Sequence, residues 1–353
     1  MKALRWHDRL DVRLDEVPEP TARRGEVVLR VLACGICGSD LHEYLHGPVY
    51  IPKGPHPLTG VAPPVTLGHE FCGRVVEVGP EVGTLREGDR VTVNPCLLCG
   101  ECVWCRRGQP NYCAKLGTLG LSRDGAFAPF VAAPASGCHP LPASVDDRAG
   151  ATVEPLAVAV HAARRARLSG GERIAVVGAG PIGLLLLQVL KARGARWVAV
   201  IEPREERRRL ACELGADVAL DPEAQDPARA LAELTDNERA EAAFECVGSP
   251  AAFTTAFRLA GKGGRIVVVG LVPTQVSVNL LALLAHEKEI VGSSAYTDEF
   301  PTAIGLLAEG RVRIAPLITA EVPLEEALPR GLDALRRREE AHVKIMVTPD
   351  RAG

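Results

Sequence analysis

Four cysteines, Cys99, Cys102, Cys105 and Cys113, follow a C-x2-C-x2-C-x7-C spacing inside one short loop. Soft thiolates this close in sequence can wrap a single tetrahedral zinc, and a site closed by four protein ligands is structural. Cys96 adds another x2 step upstream. The quartet Cys96, Cys99, Cys102 and Cys105 therefore stays open on spacing, with the set ending at Cys113 preferred. A second group of ligand types is dispersed. It comprises the stretch Gly35-Ile36-Cys37-Gly38-Ser39-Asp40-Leu41-His42, the run Gly68-His69-Glu70, and Glu154 ahead of Pro155. Cys, His and Glu suit a catalytic zinc that keeps one position open. His42-Glu43-Tyr44-Leu45-His46 also matches HExxH, a zinc-hydrolase signature that needs both histidines on one sustained helix face. Gly47-Pro48 stops the chain directly afterwards, leaving about a turn and a half of helix, which is poor support for such a site. Cys34, Cys72, Cys138, Cys212 and Cys246 read as small buried hydrophobes.

Further along, Gly178-Ala179-Gly180-Pro181-Ile182-Gly183 spells GxGxxG. Such a triplet is weak alone, but here a β-like run ends at Val177 and a helix begins at Pro181. The glycines allow a tight turn and close approach of backbone to a pyrophosphate, with the helix N-terminus meeting its charge. Glu202 ends the next β-like run, where a carboxylate bonds an adenosine ribose hydroxyl and repels a 2′-phosphate, favouring NAD over NADP. Arg204 and Arg207 stand close enough to soften that preference.

The elements that must position these groups divide in two. Up to about residue 150, short β-like runs (Val27 to Leu32, Gly73 to Val78, Asp89 to Val93) alternate with Gly/Pro punctuation, as in a β-barrel-like domain with long loops. From about Pro155, strands and helices alternate. A helix from Pro155 to Arg167 leads to the strand Arg173 to Val177, the helix Pro181 to Arg193, and strands at Trp197 to Ile201, Ala243 to Val247 and Arg265 to Val269. That is the pattern of a doubly wound parallel sheet. The final fifty residues, with a strand from His342 to Val347, are placed back on the first domain. The expected division is 1–155 with 297–353, and 156–296. A chain of 353 residues suits two domains. A net charge of -3 gives no electrostatic case for a nucleic-acid or anionic-membrane partner. No stretch reads as a secretory leader or membrane span, and the 11 cysteines then suit a reducing compartment, so cytoplasmic is expected.

At this point the chain resembles the zinc-dependent medium-chain dehydrogenase/reductase superfamily over its full length, in the butanediol and sorbitol dehydrogenase branch. The resemblance is carried by Met1 to His7, Leu41 to Pro48, Pro55 to Gly60 and Leu67 to Phe71, beside the motifs above. It implies a GroES-like β-barrel catalytic domain plus a doubly wound Rossmann domain (class α/β), with NAD and two zinc ions, one catalytic and one structural. Cys37, His69 and Glu154 would be zinc ligands, with Glu70 a direct or exchanging ligand. Ser39 would take the proton of the alcohol and pass it outward to His42, and Lys344 would lie near the cofactor pyrophosphate. The implied reaction interconverts a small secondary alcohol or vicinal diol with its ketone, 2,3-butanediol and acetoin foremost. Sorbitol-like polyols and L-threonine are rival substrates, and a zinc- or redox-sensing member of the same fold is the non-enzymatic rival. A homodimer or homotetramer, paired at a sheet edge near Gly263 to Val291, is also implied.

Overall fold

The computed structural model describes residues 1–271, 275–337 and 342–349. It separates into two compact units. The first comprises Met1–Glu154, Ala303–Ala308 and the described residues from Ile318 on; the second comprises Pro155–Thr302 and Glu309–Leu317.

The first unit is built on a sheet with Glu26–Gly35 near its centre. That strand pairs antiparallel with Glu70–Val78, with Phe130–Pro134 and with Lys344–Thr348. Glu70–Val78 continues to Arg90–Val93 and then Cys138–Pro140, while Lys344–Thr348 pairs in parallel with Ile318–Pro323. Leu29, Leu67, Phe71, Phe127 and Ile345, all fully enclosed, form the heart of its core. Apolar side chains on a sheet face must be covered, and the enclosing strands do so here.

The second unit holds six parallel strands in the order Val218–Leu220, Trp197–Ile201, Arg173–Val177, Ala240–Glu245, Ala260–Val268 and Glu289–Gly292. In chain order this is 3-2-1-4-5-6, the Rossmann arrangement with its switch point beside the first strand. Arg173–Val177 and Trp197–Ile201 are almost continuously apolar because such strands are covered on both faces. Pro181–Ala192 starts with proline at its first turn, where the missing N–H costs nothing, and buries Leu184 through Leu187.

Several expectations shift. The helix Gly38–His46 runs nine residues, about two and a half turns, longer than the Gly47-Pro48 stop suggested. Residues 297–302 and 309–317 group with the second unit. There Glu299 bonds His161 and Arg164 on the helix Val153–Arg165, and Arg313 bonds Gln188, so local polar ties outweigh the mixed texture of the segment. Cys212 is exposed, not core: it follows buried Ala211 on a charged helix whose other side faces solvent. No described helix is long and apolar enough to cross a membrane.

Candidate metal and dinucleotide sites

Cys37 is the N-cap of the helix Gly38–His46, and its backbone N–H donates to Asp40 Oδ2 at 2.9 Å. The first turn then carries Ser39 inward. Its Oγ lies 3.0 Å from His69 Nε2, and both residues are buried. The other ring nitrogen, His69 Nδ1, stands 3.4 Å from Asp40 Oδ1. Burial opposes charge on His69, but Asp40 and Cys37 outweigh it and raise its pKa well above the usual imidazole range. Burial, with Glu70 adding to it, pushes the Cys37 thiol up. Asp40 was not singled out by sequence reasoning, although it lies in the quoted Cys37 motif. A carboxylate behind a ligating imidazole fixes the ring's tautomer and orientation.

Glu70 and Lys344 form a second buried group. The Lys344 ammonium, brought in by the strand Lys344–Thr348, bonds Glu70 Oε2 and donates to the Ile36 carbonyl at 3.1 Å. Burial alone would lower the Lys344 pKa; Glu70, Cys37 and Glu154 reverse that and raise it. Lys344, expected near the cofactor pyrophosphate, is held here by Glu70 and the Ile36 carbonyl. Its strand runs beside Gly35, and a buried ammonium settles on the nearest buried carboxylate. Lys344 thus engages one of the two Glu70 carboxylate oxygens, Oε2. Gly35 is required here, because a Cβ on it would collide with Glu70 Oε2.

The HExxH residues do not make a metal site. His42 and His46 stack edge to face at 6.1 Å between ring centres, while Glu43 is fully buried and accepts from the backbone N–H groups of residues 49–51. His42 is half-buried, and burial followed by His46 lowers its pKa.

The clearest ligand cluster among the described residues is Cys99, Cys102, Cys105 and Cys113, whose sulfurs all lie within 4.8 Å of one another. Individual separations are 3.5 Å for Cys102–Cys105, 3.5 Å for Cys113–Cys99 and 3.9 Å for Cys99–Cys105. Four sulfurs at the Zn–S length of about 2.3 Å stand about 3.8 Å apart in a tetrahedron, so the spacing fits that ion. Backbone N–H groups of Ala114 and Cys105 lower Cys102 to about 6, which favours the thiolate. Cys96 lies outside the cluster, in the short ladder Cys96–Leu97 with Gly117–Thr118, which removes the shifted quartet.

At the dinucleotide turn, Gly178 has φ +100° and its N–H donates to Ile201 O at 2.8 Å. A Cβ on Gly183 would run into the Gly178 carbonyl, whereas one on Gly180 would meet only open space. That space, at the N-terminus of Pro181–Ala192 with Pro181 and Ile182 in its first turn, is room for a phosphate. Glu202 is buried; its Oε2 accepts from Ala179 N at 2.8 Å and its Oε1 from Arg204 N at 3.1 Å. Arg207, on the following helix Glu205–Glu213, is half-buried. Glu245 was also missed. It ends the strand paired to Val177, is fully buried and accepts from Val247 N and Gly248 N at 2.9 and 2.7 Å. Its only sequence signal is an acid closing an apolar run before a glycine.

A closed thiolate quartet, a Cys–His–Ser group and a 3-2-1-4-5-6 sheet with a glycine-rich turn together define a zinc-dependent dinucleotide oxidoreductase. Residues 23–143 match the alcohol dehydrogenase GroES-like domain, and residues 181–309 match the zinc-binding dehydrogenase domain. The chain belongs to the zinc-binding alcohol dehydrogenase family. It is 38% identical to the (R,R)-butanediol dehydrogenase of Bacillus subtilis, over 99% of this chain and 100% of that protein. The crystal structure of 2R,3R-butanediol dehydrogenase from Bacillus subtilis superposes with a TM-score of 0.93 at 38% identity, covering 99% of both chains. A zinc-binding dehydrogenase from Sinorhizobium meliloti 1021, bound to NADP, superposes with a TM-score of 0.89 at 34% identity, again covering 99% of both.

Proposed function

We propose that this enzyme is a zinc-dependent, NAD-linked dehydrogenase that interconverts a vicinal diol with its hydroxyketone, 2,3-butanediol with acetoin being the leading pair. The observation that carries this reading is Ser39 Oγ at 3.0 Å from His69 Nε2, on the helix capped by Cys37. A proton-accepting hydroxyl is thereby held beside two metal-ligating side chains. Cys37, His69 and Glu154 would hold the catalytic ion, with Glu70 held back by Lys344 as an exchanging fourth donor. Cys99, Cys102, Cys105 and Cys113 would hold the structural one. When bound, zinc supplies Lewis acidity toward an alcohol or ketone oxygen, and NAD supplies the hydride acceptor.

The chain's own groups do the rest. Asp40 fixes the His69 ring, Ser39 takes the hydroxyl proton, and half-buried His42 exchanges it with solvent. Gly178, Gly180 and Gly183 give the pyrophosphate room, and Glu202 accepts from the ribose hydroxyls, which disfavours a 2′-phosphate there. A homo-oligomer is supported by Leu280, Leu281 and Leu284, 71%, 73% and 76% exposed, close in sequence to the edge strand Glu289–Gly292. Exposed apolar clusters of this kind mark protein interfaces. Eleven free cysteines support a cytoplasmic setting.

The test is absorbance at 340 nm, pairing NAD+ and NADP+ with (R,R)-, meso- and (S,S)-2,3-butanediol, sorbitol and threonine, with zinc measured on the same sample. NAD+-linked oxidation of a butanediol isomer, with about two zinc per chain, is expected. Preference for sorbitol or threonine would keep the chemistry and replace the substrate. Full zinc with no alcohol oxidised would overturn the enzymatic reading.

A further inference from the structure

The strand Ala240–Glu245 is apolar through Ala242, Ala243 and Phe244 and then closes on a fully buried carboxylate. Glu245 lies beside Val177 in register, and Cys246 N donates to Val177 O at 2.9 Å. These strands are the first and fourth in the 3-2-1-4-5-6 order, so they flank the switch point where that order reverses. One chain segment leaves Val177 through Gly178; the other leaves Glu245 through residues 246–248. The two turns touch. A Cβ on Gly178 would fall 2.6 Å from Val247 Cγ2 and 3.5 Å from the Cys246 carbonyl carbon.

Glu245 ties down the second of these turns and joins it to a third. Its Oε1 accepts from Val247 N at 2.9 Å and from Gly248 N at 2.7 Å. Its backbone carbonyl accepts from Val269 N and Gly270 N, both at 2.9 Å. One residue thereby gathers the segments that follow two neighbouring strands, Ala240–Glu245 and Ala260–Val268. Their contact is backbone to backbone. A Cβ on Gly270 would strike Gly248 N at 2.3 Å and Glu245 Oε2 at 2.7 Å, and one on Gly248, whose φ is +81°, would strike Leu271 O at 2.3 Å. Oε2 itself is buried with no hydrogen-bond partner among the described residues. An unmet buried oxygen costs stability, and an apolar side chain would fill the end of a covered parallel strand without that cost. What the carboxylate secures is a fixed pair of turns bearing Val247 and Leu271, which are 54% and 41% exposed.

A dinucleotide lies across such a switch point, with one mononucleotide on each half of the sheet. The glycine turn and Glu202 belong to the half built from the first three strands, and the turns gathered by Glu245 belong to the other. We infer that Glu245 is a positioning residue for the nicotinamide half of the cofactor. It locks the segments 246–248 and 269–271 into one wall for that half without touching the cofactor itself. The inference rests on the dinucleotide reading above and adds the residue that shapes its second half.

The experiment is calorimetry on the zinc-loaded enzyme, giving dissociation constants for NADH (NADPH where the wild type prefers it) and for AMP, which carries only the adenosine half. Glu245→Ala removes two hydrogen bonds to a charged acceptor and is expected to weaken NADH about tenfold or more. AMP binding and far-ultraviolet circular dichroism should stay as in the wild type. Glu245→Gln keeps an oxygen for Val247 N and Gly248 N and should recover most of the loss. Unchanged NADH affinity in Glu245→Ala would overturn the inference. So would equal losses on NADH and AMP, the mark of a purely structural role, or a Glu245→Gln enzyme as weak as Glu245→Ala. Should Glu245→Ala not fold, Glu245→Asp, with its carboxylate drawn back by one methylene, is read by the same comparison. A wild type that binds neither NADH, NADPH nor AMP sinks the dinucleotide reading itself, which is a different result from tight binding with no selective loss.

Discussion

At the scale of single residues, the reacting group depends on side chains that cap and orient one another. Cys37 opens a helix whose first turn supplies both Ser39 and Asp40, and each of these faces a different nitrogen of His69. Cys37→Ser keeps the cap and removes the soft ligand. Turnover should drop by at least about a thousandfold, the scale set by losing a metal's contribution to the barrier, while NADH fluorescence titration gives a dissociation constant close to the wild type's. Near-normal turnover in that variant would refute the assignment of Cys37 to the metal. Glu202 is held by Ala179 and Arg204 amides with its carboxylate at the end of the second parallel strand. A hydrogen bond to a charged group contributes about 1.5–3 kcal/mol. Glu202→Ala should therefore cut the NAD-over-NADP ratio of kcat/KM by about tenfold or more. An unchanged ratio would mean that the ribose is read by other groups.

At the scale of elements, the zinc-type lobe is a loop with little apolar filling. Val103 and Trp104 are both partly exposed, and only Cys113 of the four ligating thiols is buried. With so small a core, an ion held by the four thiolates would carry the local fold. Cys113→Ser is expected to lose one of two zinc per chain by metal analysis and to lower the melting temperature by several degrees, with the parallel sheet's circular dichroism retained. The second unit has its own polar anchor. Burial works against the Glu299 carboxylate, but His161, the Thr297 backbone N–H and Arg164 outweigh it and hold it at about 2. An unfolded glutamate titrates near about 4.3. A depressed folded pKa adds stability that is present above the unfolded value and lost as pH falls toward about 2. Glu299→Gln should thus melt lower than wild type at pH 7, and the gap should close between about pH 4 and pH 2. A gap that stays constant with pH would show that the carboxylate's charge is not what anchors the segment.

Legibility in the sequence follows the same scale. The glycine turn, the thiolate loop and the two flanking strands were readable because each is fixed by neighbours within a few residues: Val177 ends a strand, Pro181 starts a helix, and the four cysteines share one loop. Asp40 behind His69 and Lys344 against Glu70 were not readable. Lys344 meets Glu70 because Glu26–Gly35 aligns with a strand from each side, and Asp40 meets His69 from the helix that follows Glu26–Gly35, so neither contact is between sequence neighbours. The role of Glu43 was hidden by a motif that suggested a metal, although burial turned its carboxylate toward the backbone of 49–51.

At the scale of the whole molecule, the second unit's sheet ends in Glu289–Gly292, with Ile290 40% exposed, while Leu280, Leu281 and Leu284 stand uncovered nearby in sequence. An open strand edge together with apolar side chains is a liability for an isolated chain. Leu281→Glu is expected to shift the enzyme to a smaller species in light scattering at micromolar concentration. A wild type that is already monomeric would dismiss the idea.

The first unit is assembled from two ends of the chain. Glu26–Gly35 pairs on one side with Lys344–Thr348, and that last strand delivers the ammonium that meets Glu70. A ribosome makes these pieces with the entire second unit, Pro155–Thr302 and Glu309–Leu317, between them. While the chain is being synthesised, the parallel sheet can close as soon as its own strands emerge. The sheet that carries Glu70 must wait, with one edge of its central strand open and the Glu70 carboxylate unmet, until Lys344–Thr348 has been made. Of the two units, the one whose strands emerge first is therefore closed last.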